Sequence, residues 1–359
     1  MRKVNERKMD KTVNNHYVPQ YYLKNFFHNK TIYYKDIINN YPVQRSQSAK
    51  NLCVEENLYT LHEKISDKDM EQFWNIIGLE NEQGKEICNS IKNYLNGDFS
   101  TLSNSLNNFI RKIASIYMDN KEKYSYTQEE LYEYYDNLFP TICTDIIKFK
   151  QLPLYNKDKY AIDDLMLNLH IYCFRCAINS LYNGIIEKDN ITEDEKTDLE
   201  RQKSLIIKNF KYEQNDYMNV MLYIIVQLLR TNNSVKKLSS LIEDKRFKEK
   251  FSFLYIQFMP YIIVSNMVLN KCHLKLIKNY STIDFITSDN PCINIDNMEN
   301  LNLYIPISSK LAIKCDNYND DNNISEISSE AEILKYNKLI KSKANQYIIG
   351  SSRDILDNV

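Results

Sequence analysis

The sequence predicts an α+β protein in which a mixed or antiparallel sheet is built from both ends of the chain around a large central helical insertion. Short runs of β-forming residues, bounded by polar turns, occur near both ends of the 359 residues. Apolar residues at helical spacing fill the middle. We therefore divide the chain into an N-terminal β-containing segment (1–67), a helical region (68–280) and a C-terminal β-rich segment (281–359) that completes the N-terminal sheet.

The N-terminal segment contains three candidate strands before the periodicity changes. Each is a short run rich in β-forming residues: TIYYKD (Thr31–Asp36), YPVQRS (Tyr41–Ser46) and NLYTL (Asn57–Leu61). From about Lys68 the apolar residues recur every three or four positions, which is typical of helices. The later helical patterns are SLNNFIRKIASIYM, LYEYYDNLFPTICTDIIKF, DDLMLNLHIYCFRCAINSLYN and YMNVMLYIIVQLLR.

One stretch of the helical region, Phe251–Asn270, carries no charge. A membrane-spanning helix needs about 20 predominantly apolar residues, so its length is compatible with a span. Gln257 and Asn266 interrupt its apolar character, and Pro260 lies near its middle. We therefore expect a buried core helix with a kink, and no membrane span.

The last quarter of the chain predicts a return to strands. Its short apolar runs, separated by polar turns, are IDFITSD, PCINID, LYIPIS, LAIKCD and QYIIGS. Asp316–Glu326 is polar throughout much of its length and predicts a loop. SEAEILKYNKLIKSKANQ predicts a helix before the final strand.

Composition excludes several classes of protein. The 46 Lys and Arg residues nearly balance the 47 Asp and Glu residues, which argues against a histone-like protein that binds nucleic acid by charge alone. A hydrophobic content of 43% excludes wholesale disorder, and only 5 Gly argue against a large glycine-loop nucleotide fold. The 8 Cys are scattered and the N-terminus lacks the apolar stretch of a secretory signal, so we expect reduced thiols in the cytoplasm.

The first candidate for chemistry is HYVPQYYLKNF (His16–Phe26). A neutral imidazole exchanges protons near pH 7, and Gln20, four positions after His16, can orient a substrate oxygen or a water molecule. The structural alternative is a histidine that hydrogen-bonds a turn while the aromatic residues pack into the core.

The second candidate is FITSDNP (Phe285–Pro291), where an apolar run ends in polar residues. Functional groups are often placed in a loop that follows a strand, because the strand fixes their position. Asp289 is a candidate base or metal ligand, with Ser288 and Asn290 as hydrogen-bonding partners. The alternative is equally open, because Asp-Asn-Pro is also favourable turn chemistry.

Four segments together resemble one known family. In chain order they are HYVPQYYLKNF, CVEENLY (Cys53–Tyr59), FITSDNP and LYIPIS. The sequence resembles the bacterial family catalogued as domain of unknown function 4238, whose members begin with a similar HYVPQ motif. Asn337 and Ala344 fit its pattern, whereas YMDN at Tyr117–Asn120 stands where an Arg-Thr-Pro is common. The resemblance implies a bacterial cytoplasmic protein of the accessory genome, for which phage defence or toxicity is an expectation.

The first hypothesis is a hydrolase, most specifically a phosphodiesterase or nuclease. His16 is its general acid or base, and Asp289 orients His16 or binds a divalent metal, the one cofactor considered. Nucleic acid or a nucleotide is the expected partner. The other assigned roles are substrate positioning by Gln20, Ser288 and Asn290, phosphate binding by Lys24 and Arg45, and a supporting carboxylate from Glu55.

The second hypothesis is a non-enzymatic sensor or protein-binding module. The two motifs are then a structural clasp that joins the ends of the chain, and the helical region presents a surface to a protein partner. An open site that contains both His16 and Asp289 favours the enzyme. If both side chains are sealed and fully hydrogen-bonded, the clasp is favoured.

Overall fold

Strands from both ends of the chain pair with each other in the computed structural model of the protein. The strands are β1 (Asn14–His16), β2 (Ile32–Asp36), β3 (Gln44–Ser46), β4 (Val54–Glu56), β5 (His273–Asn279), β6 (Thr287–Ser288), β7 (Ile293–Asn294), β8 (Leu303–Pro306), β9 (Leu311–Asp316), β10 (Ile324–Ile327) and β11 (Tyr347–Gly350). The helices are α1 (Gln20–Lys24), α2 (Asp67–Ile77), α3 (Gln128–Phe149), α4 (Asp216–Leu229), α5 (Asn232–Ser240), α6 (Lys245–Leu269), α7 (Glu330–Lys343) and α8 (Arg353–Asp357). The structure describes residues 14–56, 66–77, 128–153, 192–194, 197, 201, 216–240, 242–269, 272–296, 301–316 and 323–359.

A four-stranded antiparallel sheet with the order β3–β2–β11–β6 unites the two ends of the chain. Its first two strands are N-terminal and its other two are C-terminal. In the central pair Tyr34 lies opposite Ile349, and on the other side of β11 Ile349 lies opposite Thr287. The predicted α+β class, with a sheet assembled from both termini, is confirmed.

A second sheet of five strands, β10–β5–β9–β8–β7, is built from C-terminal residues alone. All its pairs are antiparallel except β10 with β5. The sequence did not predict β5, because His273, Lys275 and Lys278 obscure an alternation in which Leu274 and Leu276 are buried. The expectation of a loop over Asp316–Glu326 is wrong in part. Its last residues form β10, because parallel pairing to β5 satisfies the backbone of this short run.

The helices pack around α4, which contacts α3, α5 and α6. Most of its apolar residues are buried in the main core, which they share with α1 and one face of the five-stranded sheet. The ring of Tyr223 on α4 packs against Phe139 on α3, with ring centroids 4.8 Å apart. A second core lies between helices α7 and α8, the four-stranded sheet and the other face of the five-stranded sheet.

The charge-free stretch lies within α6 as far as Leu269, and Pro260 is inside this helix. Phe251, Ile256 and Val264 are buried in the main core, as expected for a core helix. No helix in the described part of the chain is long and apolar enough to cross a membrane.

Several predictions fall on residues that the structure does not describe, or are left open by it. The candidate strand Asn57–Leu61 and the helical patterns around residues 105–118 and 163–183 lie outside the described residues. The predicted division at residues 67 and 280 stays a prediction, although β5 already begins at His273.

Tyr22 on α1 joins both large sheets to the N-terminal motif. Its hydroxyl donates to the main-chain O of Pro306 in β8 at 2.5 Å and lies 2.7 Å from the hydroxyl of Thr287 in β6. The side chain is fully buried. The aromatic residues after HYVPQ therefore hold the motif against the C-terminal strands.

Candidate functional site

His16 is held by backbone pairing at the end of a short strand. β1 pairs antiparallel with β4, and His16 lies opposite Val54. The next residue, Tyr17, donates its N–H to the main-chain O of Cys53 at 3.1 Å. Pro19 then stands at the N-cap of α1 with φ −62°, so the motif turns from strand to helix within three residues.

The side chains of His16 and Gln20 contact each other across this turn. Gln20 Nε2 lies 2.9 Å from His16 Nε2, and both side chains are partly exposed. An amide nitrogen only donates, so this contact is a hydrogen bond when His16 Nε2 accepts, which is the neutral tautomer with its proton on Nδ1. The predicted proximity of His16 and Gln20 is therefore present as a direct hydrogen bond.

Arg230, at the C-terminal end of α4, supports His16 from the protein interior. Its Nη2 donates to the main-chain O of His16 at 2.9 Å, and the residue is only 1% exposed. Buried arginine is rare unless it is paired or hydrogen-bonded, because burial of a charge is costly. This positive charge therefore lies directly behind the histidine of the motif.

The face of α4 that leads to Arg230 carries further polar side chains. Tyr223, Gln227 and Arg230 recur at helical spacing. Burial raises the pKa of Tyr223, and its neighbours Cys143, Tyr21 and Tyr22 contribute to the same shift. Gln227 is fully buried between Tyr223 and Arg230 along the helix. Sequence reasoning missed these residues, although three polar groups on one face of the mostly apolar segment YMNVMLYIIVQLLR were a usable signal.

Asp289 is sealed and bonded to the backbone of the connection between α7 and β11. Its two carboxylate oxygens accept the N–H groups of Asn345 and Gln346 at 2.9 and 2.7 Å. Its own N–H donates to the main-chain O of Tyr347 at 3.1 Å, and the residue is 2% exposed. Burial raises the pKa of Asp289 despite these backbone donors. The geometry favours a structural role for this carboxylate.

Ser288 and Asn290 complete a local turn beside Asp289. The Ser288 hydroxyl donates to the main-chain O of Asn290 at 2.9 Å and accepts its N–H at 3.1 Å. Asn290 Nδ2 donates to the main-chain O of Lys343. Its Oδ1 lies 3.5 Å from the Thr231 hydroxyl, the limit of a hydrogen bond. Because Thr231 directly follows Arg230, the two motifs converge at the end of α4.

Two of the three charged candidates, Arg45 and Glu55, lie away from His16, whereas Lys24 follows Gln20 by one turn of α1. Arg45 is exposed on β3, at the opposite edge of the sheet from β6, three strand spacings or about 14 Å away. Lys24 is exposed in the last turn of α1. Glu55 lies opposite Asn15, so side-chain alternation places it on the other face from His16, and it pairs with Lys236 at 3.7 Å.

A metal site at Asp289 has little support from the surrounding side chains. Among the described residues, no group of three or more His, Cys, Asp or Glu side chains is arranged to hold a metal ion. The Asp289 carboxylate accepts backbone N–H groups instead. The divalent metal considered from the sequence stays a prediction.

The comparison with protein families covers almost the whole chain. A family model described as "Protein of unknown function (DUF4238)" matches residues 14–354. The chain belongs to the DUF4238 family. No curated protein and no solved structure matches it. The match includes both motifs, and it also spans the part of α4 that supports His16.

Two further positions that suggested DUF4238 membership have structural roles. Asn337 on α7 is fully buried, accepts the N–H of Ile286 at 3.0 Å and donates to the main-chain O of Asp284 at 2.9 Å. Its side chain thereby hydrogen-bonds to the backbone at the start of FITSDNP. Ala344 is the C-cap of α7, directly before the backbone groups that Asp289 binds.

An arginine does reach this DUF4238 site. Tyr117–Asn120, the position at which the sequence departs from the family's Arg-Thr-Pro, lies outside the described residues. Arg230 and Thr231 lie at the point where the two motifs meet.

Proposed function

We propose that this DUF4238 protein is a hydrolase of phosphodiesters, a phosphodiesterase or nuclease, in which His16 is the acid–base group and Asp289 holds the site together. The observation that carries the proposal is the partly exposed His16 imidazole, which is bonded to Gln20 and backed by the buried charge of Arg230. A preorganised positive charge in a dry environment favours an anionic substrate and the charge that develops during its cleavage.

In this reaction His16 Nε2 receives a proton from the attacking water when Gln20 releases the ring nitrogen. The water oxygen forms the new bond to phosphorus, the ester P–O bond breaks, and the leaving oxygen takes a proton from solvent. His16 then returns its proton to solvent, which restores the neutral ring. Gln20 is then available to hold a substrate oxygen. We place the reaction in the bacterial cytoplasm, in phage defence or toxicity, on the support of the family resemblance and the scattered cysteines.

The test compares His16→Ala with His28→Ala, a substitution at an exposed histidine of the same segment. Cleavage of bis(p-nitrophenyl) phosphate, single-stranded and double-stranded DNA, and RNA is measured with and without Mg²⁺ or Mn²⁺. We expect His16→Ala to abolish cleavage at a nearly unchanged Tm and His28→Ala to retain it. The proposal fails if the wild type cleaves none of these substrates or if His16→Ala remains active.

A second candidate function is the non-enzymatic binding module, which a specific observation favours. Both carboxylate oxygens of Asp289 are used by backbone N–H groups, as expected of a clasp between chain segments. In that case His16→Ala lowers the Tm as strongly as Asp289→Ala does. That result, together with an inactive wild type, would favour the binding module over the hydrolase.

A further inference from the structure

Gln227 is the buried polar group that the fold explains least. The residue is 0% exposed, and neither its Nε2 nor its Oε1 has a hydrogen-bond partner in the part of the chain that the structure describes. An unsatisfied buried amide destabilises the folded state, since the same group is solvated in the unfolded chain. An isosteric apolar residue such as methionine avoids that cost at this position. The amide of Gln227 therefore needs a polar partner that the described residues do not supply.

The neighbours of Gln227 indicate what kind of partner fits. Arg230 directly follows α4, three positions after Gln227, and its N–H still donates to the main-chain O of Val226 at 2.9 Å. Helical geometry therefore continues to Arg230, and both side chains project from one face. Arginine pairs with phosphoryl oxygens through several N–H donors at once. The amide of Gln227 offers one donor group and one acceptor, so its partner must present both an acceptor and a donor.

We propose that Gln227 and Arg230 form the binding site for the phosphoryl group and an adjacent sugar hydroxyl of a nucleotide, and thus name the substrate class of the hydrolase proposed above. Phosphoryl oxygens accept from Arg230 and from Gln227 Nε2. The sugar hydroxyl donates to Gln227 Oε1. The inference rests on the proposed function for its choice of phosphate, and on the unpartnered amide for its location.

Both side chains are covered in this structure, so binding requires a local movement. The end of β1 lies against Arg230, which donates to the main-chain O of His16, and the β1–α1 turn follows directly. Displacement of this turn exchanges that bond for one to the phosphoryl group. The movement brings substrate, His16 and Gln20 together at the end of α4.

The experiment measures the Tm of the full chain with uridine and adenosine 5′-monophosphates, the corresponding nucleosides and inorganic phosphate. We expect a saturable rise of about 2 °C or more with nucleotides and little with nucleosides. Gln227→Met is expected to raise the Tm without ligand and to abolish the nucleotide-dependent rise. The rise with phosphate alone tells whether the phosphoryl group is recognised without the sugar.

A matched control is Gln346→Met, which removes an amide that donates to Asp36 at 2.9 Å. It is expected to lower the Tm and to keep the nucleotide-dependent rise. The inference is overturned if no nucleotide stabilises the wild type, or if Gln227→Met responds as the wild type does. If Gln227→Met does not fold, Gln227→Asn replaces it, and retention of the full rise overturns the inference.

The two proposals fail in distinguishable ways. Nucleotide binding that depends on Gln227, without hydrolysis by the wild type, supports this site and overturns the hydrolase. Hydrolysis that Gln227→Met performs with an unchanged KM supports the hydrolase and overturns this site.

Discussion

Arg230 and His16 lie 214 positions apart in the chain and are joined by a hydrogen bond of 2.9 Å from the guanidinium Nη2 to the main-chain O. The bond connects the end of a core helix to the strand that begins the HYVPQ motif. It holds His16 against the C-terminal end of α4. The same helix end also approaches Asn290 through Thr231, so the C-terminal end of α4 lies next to both motifs.

Replacement of Arg230 tests whether its bond to the main-chain O of His16 stabilises the fold. Arg230→Met leaves the main-chain O of His16 without its donor, and we expect unfolding free energy to fall by about 1–3 kcal/mol. Urea unfolding measures the change. Arg353→Met is the matched control, because exposed Arg353 makes the same type of bond to the main-chain O of Val43. Equal effects of the two substitutions would contradict a special role for Arg230.

Substitution of Asp289 separates its structural role from a catalytic one. Asp289→Ala removes the acceptor for the N–H groups of Asn345 and Gln346, at a cost of about 1–3 kcal/mol for each buried donor left without a partner. Asp289→Asn keeps one acceptor oxygen and is expected to cost less. Asp296→Ala, at an exposed aspartate, serves as the control in the same urea titration. An Asp289→Asn protein of wild-type stability that has lost activity would favour catalysis instead.

Removal of one hydroxyl tests how the motif is attached to the C-terminal strands. Tyr22→Phe deprives the main-chain O of Pro306 and the Thr287 hydroxyl of a partner in the core, and should cost about 1–3 kcal/mol. Tyr34→Phe removes an exposed bond to Gln44 and should cost less than about 0.5 kcal/mol. Thermal unfolding of both variants checks the difference. A Tyr22→Phe protein as stable as Tyr34→Phe would contradict the attachment.

The ion pair between α2 and α6 predicts a pH dependence. Burial disfavours the charged form of Asp69, but hydrogen bonds from Ser66 and the 3.0 Å contact with Lys250 outweigh it and hold the pKa of Asp69 below its usual value. The unfolded chain therefore binds the proton first, so this stabilisation is present above about pH 4 and is lost as the pH falls through the lowered pKa.

Asp69→Asn tests this dependence by a comparison of unfolding free energies at neutral and acidic pH. We expect the variant to be about 1 kcal/mol less stable at neutral pH, with the gap closing as the pH falls below about 4. Asp145→Asn, at an exposed aspartate of α3, should show no such closing gap. A gap that stays constant with pH would show that Asp69 acts only through its size and shape.

The sequence predicted the elements whose own residues carry a clear pattern. Ile32–Asp36 and Leu311–Asp316 are rich in β-formers between polar turns, and both are strands. Asp216–Leu229 is strongly apolar with helical spacing, and it is a buried helix. His273–Asn279 was missed because its buried leucines alternate with lysines, and only the strands on either side of it decide its conformation.

The candidate site was predicted less well, because its geometry depends on partners distant in sequence. His16 and Gln20 are four positions apart, so their contact followed from the motif. In the sequence, Arg230 and Gln227 are ordinary members of a helical pattern. Only the folded structure shows that this end of the helix contacts the motif. Arg45 and Ser288 both belong to one sheet, but the strand order places them at opposite edges.

The sequence by itself determined the α+β class, the pairing of the two chain ends and the family, because periodicity and the order of the motifs can be seen in residues that are close together in the chain. Only the tertiary structure decided what Asp289 and Arg230 do. Whether a carboxylate acts as a base or as a structural clasp depends on which groups surround it and on how much water reaches it. Those neighbours come from strands and helices far away in the chain, and packing alone brings them together.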